Sequence, residues 1–116
     1  ILIINGGKND NVGEVTPAQA YANLVSINVA AQARGIITAI STVFYSVASE
    51  MSPTLYAWVD VINALIMANS AGANHVINYN VDPDLATPTL EYFPDTIHPN
   101  NAGLALMATV IRGVFG

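Results

Sequence analysis

The chain has no cysteine, which excludes a disulfide framework and thiolate chemistry and leaves the redox compartment open. Charge is scarce. Only 9% of the 116 residues are charged and 53% are hydrophobic, whereas an ordinary globular domain carries about 25% charged residues. One face is therefore expected to be covered by other protein. The strong bases are Lys8, Arg34 and Arg112 alone, and a net charge of -5 argues against nucleic acid or an anionic membrane as partner. No apolar run approaches the roughly 20 residues needed to span a bilayer. The opening Ile1-Leu2-Ile3-Ile4 has neither an initiator methionine nor the basic flank of a signal peptide, and reads as the middle of a strand. A chain of 116 residues is at most one small domain.

What is present alternates between strand and helix. Ile1–Ile4 is a short β-branched run that fits a strand buried on both faces. Asn5 to Asp10 is a sharp polar loop. Thr16-Pro17-Ala18-Gln19 is a helix start, with Thr16 as N-cap, Pro17 first in the helix and Gln19 closing a capping box. That helix runs to Arg34 and stops at Gly35, a left-handed cap. Ile36–Phe44 reads as a second strand, and Tyr45–Thr54 as a polar loop. Leu55, Trp58, Val59, Ile62, Leu65 and Ile66 fall on one face of a second helix, which ends at Ala71-Gly72-Ala73. Tyr56 and Trp58 are expected in the core. His75–Tyr79 is a third strand, Asn80–Pro94 a long loop, and Asn100–Val114 the last helix, with Pro99 suited to its first position. This order predicts an α/β fold, a parallel sheet with right-handed crossovers.

In such sheets ligands sit beyond the carboxyl ends of the strands. The loop Asn5–Asp10 leaves the first strand at that end, and the stretch Asn80–His98 leaves the third. The polar clusters of the chain therefore converge on one rim. Within them, Asp95-Thr96-Ile97-His98-Pro99 has a direct chemical reading. A turn can fold the Asp95 carboxylate onto one ring nitrogen of His98, which fixes the tautomer and leaves the other nitrogen free to take a proton from a hydroxyl nucleophile. Competing readings are weaker. Gly6-Gly7 is not a dinucleotide fingerprint. Asp82, Asp84 and Glu91 lack the ligand pattern of a calcium loop and read as a solvated lid. His75 reads as a structural histidine.

Gly7-Lys8-Asn9-Asp10 after a buried strand resembles the G-x-N-D block of the SGNH (GDSL-type) hydrolases, and Asp95-Thr96-Ile97-His98-Pro99 resembles their D-x-x-H-P block. The order and spacing of the intervening elements also match, over essentially all of this chain and about the second half of the family's domain. The resemblance implies a three-layer, flavodoxin-like parallel sheet, to which this chain supplies about three strands and three helices. It implies ester hydrolysis through an acyl-enzyme, with neither metal nor organic cofactor. Carried over residue by residue, His98 is the general base, Asp95 its orienting acid and the Asn9 side-chain amide an oxyanion donor. Gly7 would allow close backbone approach to a small ester substrate, or simply serve a tight turn.

The family's G-D-S block, which carries the nucleophilic serine upstream of G-x-N-D, has no counterpart here, and neither does its oxyanion glycine. Ser46 and Ser49 lie nearest the rim, but neither follows a strand in a nucleophile-type turn. The expectation is therefore the C-terminal part of a single SGNH domain, completed by an upstream polypeptide fragment that bears the serine. The alternative is a non-catalytic module of that fold, kept for carbohydrate binding or assembly.

Overall fold

The structure, a computed structural model, describes residues 1–12 and 14–116. Three short parallel strands, β1 (Leu2–Ile4), β2 (Thr38–Ser41) and β3 (His75–Ile77), form one sheet in the order β1-β2-β3. The register pairs Ile4 with Ile40 and Ile40 with Val76. Helices α1 (Pro17–Gln32) and α2 (Pro53–Ala68) lie on one face, burying Tyr21, Leu24, Ile62 and Ile66 against Ile4 and Ile40. The alternate side chains of the strands, Ala39 and Ile77, point the other way. They pack with Tyr79, Phe93 and Met107 under α4 (Asn101–Phe115). The result is the α/β fold with a parallel sheet that the alternation of elements predicted, in the three layers that the resemblance implied.

Element ends follow local chemistry, and several differ from the sequence reading. The capping box of α1 forms as expected: the Gln19 amide donates to Thr16 Oγ1 at 3.2 Å, and the Thr16 amide donates to Gln19 Oε1 at 3.0 Å. Gly35 is left-handed (φ 73°), but it lies beyond the cap residue Ala33. Helix α2 begins at Pro53, because Ser52 Oγ accepts the Leu55 amide at 3.2 Å. It ends at Asn69, itself left-handed (φ 50°), not at Gly72. The predicted loop Asn80–Pro94 contains a fourth short helix, α3 (Pro83–Ala86). Asp82 caps it through the amides of Asp84 and Leu85, which gives an acid in this loop a structural role. Pro99 is not the first residue of α4. Asn100 is the N-cap, its Oδ1 accepting the Gly103 amide at 3.0 Å, so Pro99 lies outside the helix.

The predicted strand Ile36–Phe44 shrinks to Thr38–Ser41. At its carboxyl end Asn63 of α2 takes both backbone groups of Val43: the Val43 amide donates to Oδ1 at 2.7 Å, and Nδ2 donates to the Val43 carbonyl at 2.9 Å. The Thr42 amide still donates to the Ile77 carbonyl at 2.9 Å, but at Val43 a side chain has taken the place of a neighbouring strand. Of the aromatics expected in the core, Trp58 packs partly buried on it and donates to the Val15 carbonyl at 3.0 Å. Tyr56 instead is exposed and tilts against Tyr45 with ring centroids 5.7 Å apart. His75 rests edge-on against Phe115 at 4.8 Å. Among the described residues, no helix is long and apolar enough to cross a membrane.

Candidate active site

The three loops that leave the carboxyl ends of the strands meet on one rim. After β1 the chain turns through Gly7, whose φ of 92° lies in the region that favours glycine. A Cβ added there would meet Ile62 Cδ1 at 3.4 Å and Val43 Cγ2 at 3.7 Å, ordinary contacts. The backbone turn, rather than crowding, is what calls for glycine. A 3-10 helix, Lys8–Val12, follows and presents Asn9 exposed on its outer side.

Asp95 and His98 are brought together as the spacing suggested. Asp95 Oδ2 lies 2.7 Å from His98 Nδ1. The other oxygen, Oδ1, accepts the His98 amide at 2.6 Å and the Ile97 amide at 3.0 Å, so one carboxylate both forms the turn and holds the ring. The His98 amide, the ring nitrogen and the Ile97 amide together pull the Asp95 carboxyl down to about 2. With Nδ1 engaged, Nε2 is the ring nitrogen left to face a substrate. Thr96 sits between them at φ 74°, a conformation that costs a β-branched residue about 1–3 kcal/mol and is typical of sites where surrounding contacts over-determine the backbone. Here those contacts are the Thr96 amide donating to Phe93 O at 2.9 Å and the Val47 amide donating to Thr96 O at 2.9 Å. The pair is open to water: the His98 side chain is 77% exposed and that of Asp95 57%.

Two features of this rim carry no sequence pattern. Lys8 Nζ donates to the Phe44 carbonyl at 2.7 Å and to Ser46 Oγ at 2.9 Å. Burial pulls its ammonium down to about 8. Ser46 is itself buried. A cavity of about 210 Å³ opens between the loops, lined by Lys8, Asn9, Ser46, Glu50, Leu55 and Ile97 among others. Asn9 and the turn that carries His98 thus border one space. Ser49 is exposed on the neighbouring 3-10 turn and does not line it. A lysine between the glycine and the asparagine, in a chain with so few bases, was the available hint of the Lys8 tie; nothing in the sequence marks Val47.

The arrangement can do proton transfer at an exposed imidazole oriented by an ionised carboxylate, on the same rim as a side-chain amide able to donate to a developing negative charge. Among the described residues, no group of three or more His, Asp or Glu side chains is placed to hold a metal ion.

The sequence matches no family model, and no curated protein matches it. Among solved structures, a GDSL-like lipase from Bacteroides thetaiotaomicron VPI-5482 is similar over 97% of this chain, with a TM-score of 0.78 at 23% sequence identity. The chain spans 60% of the length of that protein. At this identity the likeness is one of fold: the α/β fold of this chain is that of a GDSL-like lipase.

Proposed function

We propose that this chain is the base-bearing part of a serine ester hydrolase of the SGNH type, completed by an upstream segment or partner polypeptide that supplies the serine. The observation that carries the reading is the Asp95–His98 pair, one carboxylate holding Nδ1 at 2.7 Å with Nε2 left free, on the same rim as Asn9. The serine hydroxyl attacks the ester carbonyl while His98 Nε2 takes its proton. The Asn9 amide donates to the oxyanion of the tetrahedral adduct, and imidazolium returns the proton to the leaving alkoxide. An acyl-enzyme remains. Water, deprotonated by His98 in turn, releases the acid and restores the serine. Asp95 stays ionised throughout and stabilises the imidazolium.

Two further observations support completion by other protein. An acyl-transfer site works best with water excluded, whereas His98 is 77% exposed here. Strand β1 has one strand neighbour among the described residues, β2. Around it Ile1, Leu2, Ile3, Ile36 and Ile37 are all exposed, an apolar sheet edge of the kind that proteins pair or cover. The serine-bearing segment would add its strand beside β1 and close the rim over His98. A small ester, an acyl ester or an acetylated sugar, is the substrate class; the chain spans only part of the lipase it resembles, and the acyl chain length is set in the completed site.

The test is intact mass and ester hydrolysis on the protein purified from its source, with short-chain, long-chain and acetylated-sugar esters side by side. A serine-bearing segment should accompany this chain, and His98→Ala should lower kcat by roughly 10⁴-fold or more. A folded, monomeric 116-residue species with no hydrolysis would point instead to a non-catalytic module.

A further inference from the structure

The groups assigned to the reaction sit on separate loops. Asn9 lies on the 3-10 helix after β1, and His98 on the turn before α4. Between them lies the loop after β2, and both neighbours are bonded to it. Lys8 Nζ reaches across to Phe44 O at 2.7 Å and Ser46 Oγ at 2.9 Å. One residue on, the Val47 amide donates to Thr96 O at 2.9 Å, inside the Asp95–His98 turn. The chain of contacts runs Asn9, Lys8, Ser46, Val47, Thr96, His98, every link a covalent neighbour or near neighbour, or a hydrogen bond.

We propose that Lys8 is a positioning residue: its ammonium ties the loop presenting Asn9 to the loop that holds the Asp95–His98 turn, and so sets the spacing between oxyanion donor and base. This rests on the reading of Asn9 and His98 as parts of one esterase site. Several observations favour a tie over a solvated charge. Both acceptors belong to the loop after β2, which is anchored from below: Val43, next to Phe44, is clamped by Asn63 through two bonds of 2.7 and 2.9 Å. A half-buried lysine, its ammonium pulled down by burial to about 8, is costly to place unless its donors are satisfied. Ser46 is a buried residue, so its hydroxyl is a fixed partner rather than a mobile surface group. Lys8 acts through Asn9, its neighbour in the chain, rather than on substrate.

The experiment is a kinetic double-mutant cycle on the completed enzyme with Lys8→Met, Ser46→Ala and the pair, joined by hydrogen exchange at the Val47 amide and by His98→Ala as reference. Misplacing a reacting group by about 1 Å can cost about 10²-fold in rate. Lys8→Met should therefore lower kcat by about 10–100-fold and leave KM within about threefold. Ser46→Ala keeps the Phe44 bond and should cost less. Adding it to Lys8→Met should change kcat by less than about twofold, because the bond it removes is already gone. Exchange at Val47 should quicken in Lys8→Met while the buried amides of β2 stay protected. A raised KM at unchanged kcat would make Lys8 a substrate contact, and complete loss of activity in Ser46→Ala would make Ser46 the attacking group; either overturns the proposal. So does a Lys8→Met enzyme with wild-type kcat. If His98→Ala is fully active, the esterase reading itself fails and the positioning role falls with it.

Discussion

Asn63→Leu perturbs one contact whose loss can be worked out from the structure. The Asn63 side chain is buried in α2 and satisfies both the N–H and the C=O of Val43, at 2.7 and 2.9 Å. Val43 is only 3% exposed, so water cannot take the place of the amide. Leucine has the same branched heavy-atom skeleton but no polar atom, leaving two buried backbone groups without partners. Each costs about 1–3 kcal/mol, or about 2–6 kcal/mol together. Burying the more apolar leucine offsets about 1–2 kcal/mol of this. The expected net loss of about 1–4 kcal/mol is a large part of the roughly 5–15 kcal/mol usual for a domain. Urea unfolding of the completed protein, followed by the fluorescence of the partly buried Trp58, should show a lower midpoint at unchanged slope. Asn63→Asp keeps the acceptor but loses the donor, so it should be more destabilising at pH 7 than at mildly acid pH, where a protonated carboxyl can donate to the Val43 carbonyl. A loss below about 1 kcal/mol for Asn63→Leu would refute the clamp.

Other outcomes follow from the rim. Asn9→Ala should lower kcat by about 10²–10³-fold, the usual cost of one oxyanion donor; a value within about threefold of wild type removes Asn9 from the mechanism. Asp95→Asn should lower kcat by about 10⁴-fold with the fold intact on circular dichroism, since the amide favours the wrong tautomer of His98. In the wild type Asp95 should stay ionised across the acid limb of kcat/KM, because its carboxyl is held at about 2. The sign for stability is the depressed-acid one. What Asp95 contributes is fully present above its unfolded range near 3.8 and is lost as pH falls through about 2; a two-proton acid limb in the rate profile would contradict this assignment. Gly103→Ala should destabilise by on the order of 1 kcal/mol and lower kcat. A Cβ there would lie 2.9 Å from Pro99 Cβ and 3.0 Å from the Tyr92 carbonyl, and this overpacking outweighs the gain in helix propensity. A thermal melt unchanged from wild type would show that the α4 start can yield.

The legible parts of this chain are those written by local pattern. The β-branched runs gave β1 and β3, and the three- and four-residue spacing from Leu55 to Ile66 gave α2. Asp95 and His98 are three residues apart, so their meeting needs only one turn and could be read without a fold. Boundaries were less legible wherever a polar side chain claimed the backbone first. Asn63 ended β2 early, Asn100 displaced Pro99 from the start of α4, and Asp82 made a helix where three prolines suggested only loop. The ties that bring the rim together were not legible at all. Lys8 and Ser46 are 38 residues apart, and the Val47 bond to Thr96 is made by backbone groups, which every residue has. Tyr56 lies off the apolar spacing that runs from Leu55 to Ile66, and it is exposed beside Tyr45 rather than in the core expected of an aromatic at the helix start.

The central claim, that His98 activates a serine lying outside these residues, is tested most directly by an active-site phosphonate ester. The completed protein is treated with a fluorophosphonate, digested, and the adduct located by mass spectrometry, in wild type and in His98→Ala. One phosphonylated serine is expected in the upstream segment or partner, with that labelling lost in His98→Ala. Labelling of Ser46 or another serine within this chain, or labelling unchanged without His98, would contradict it.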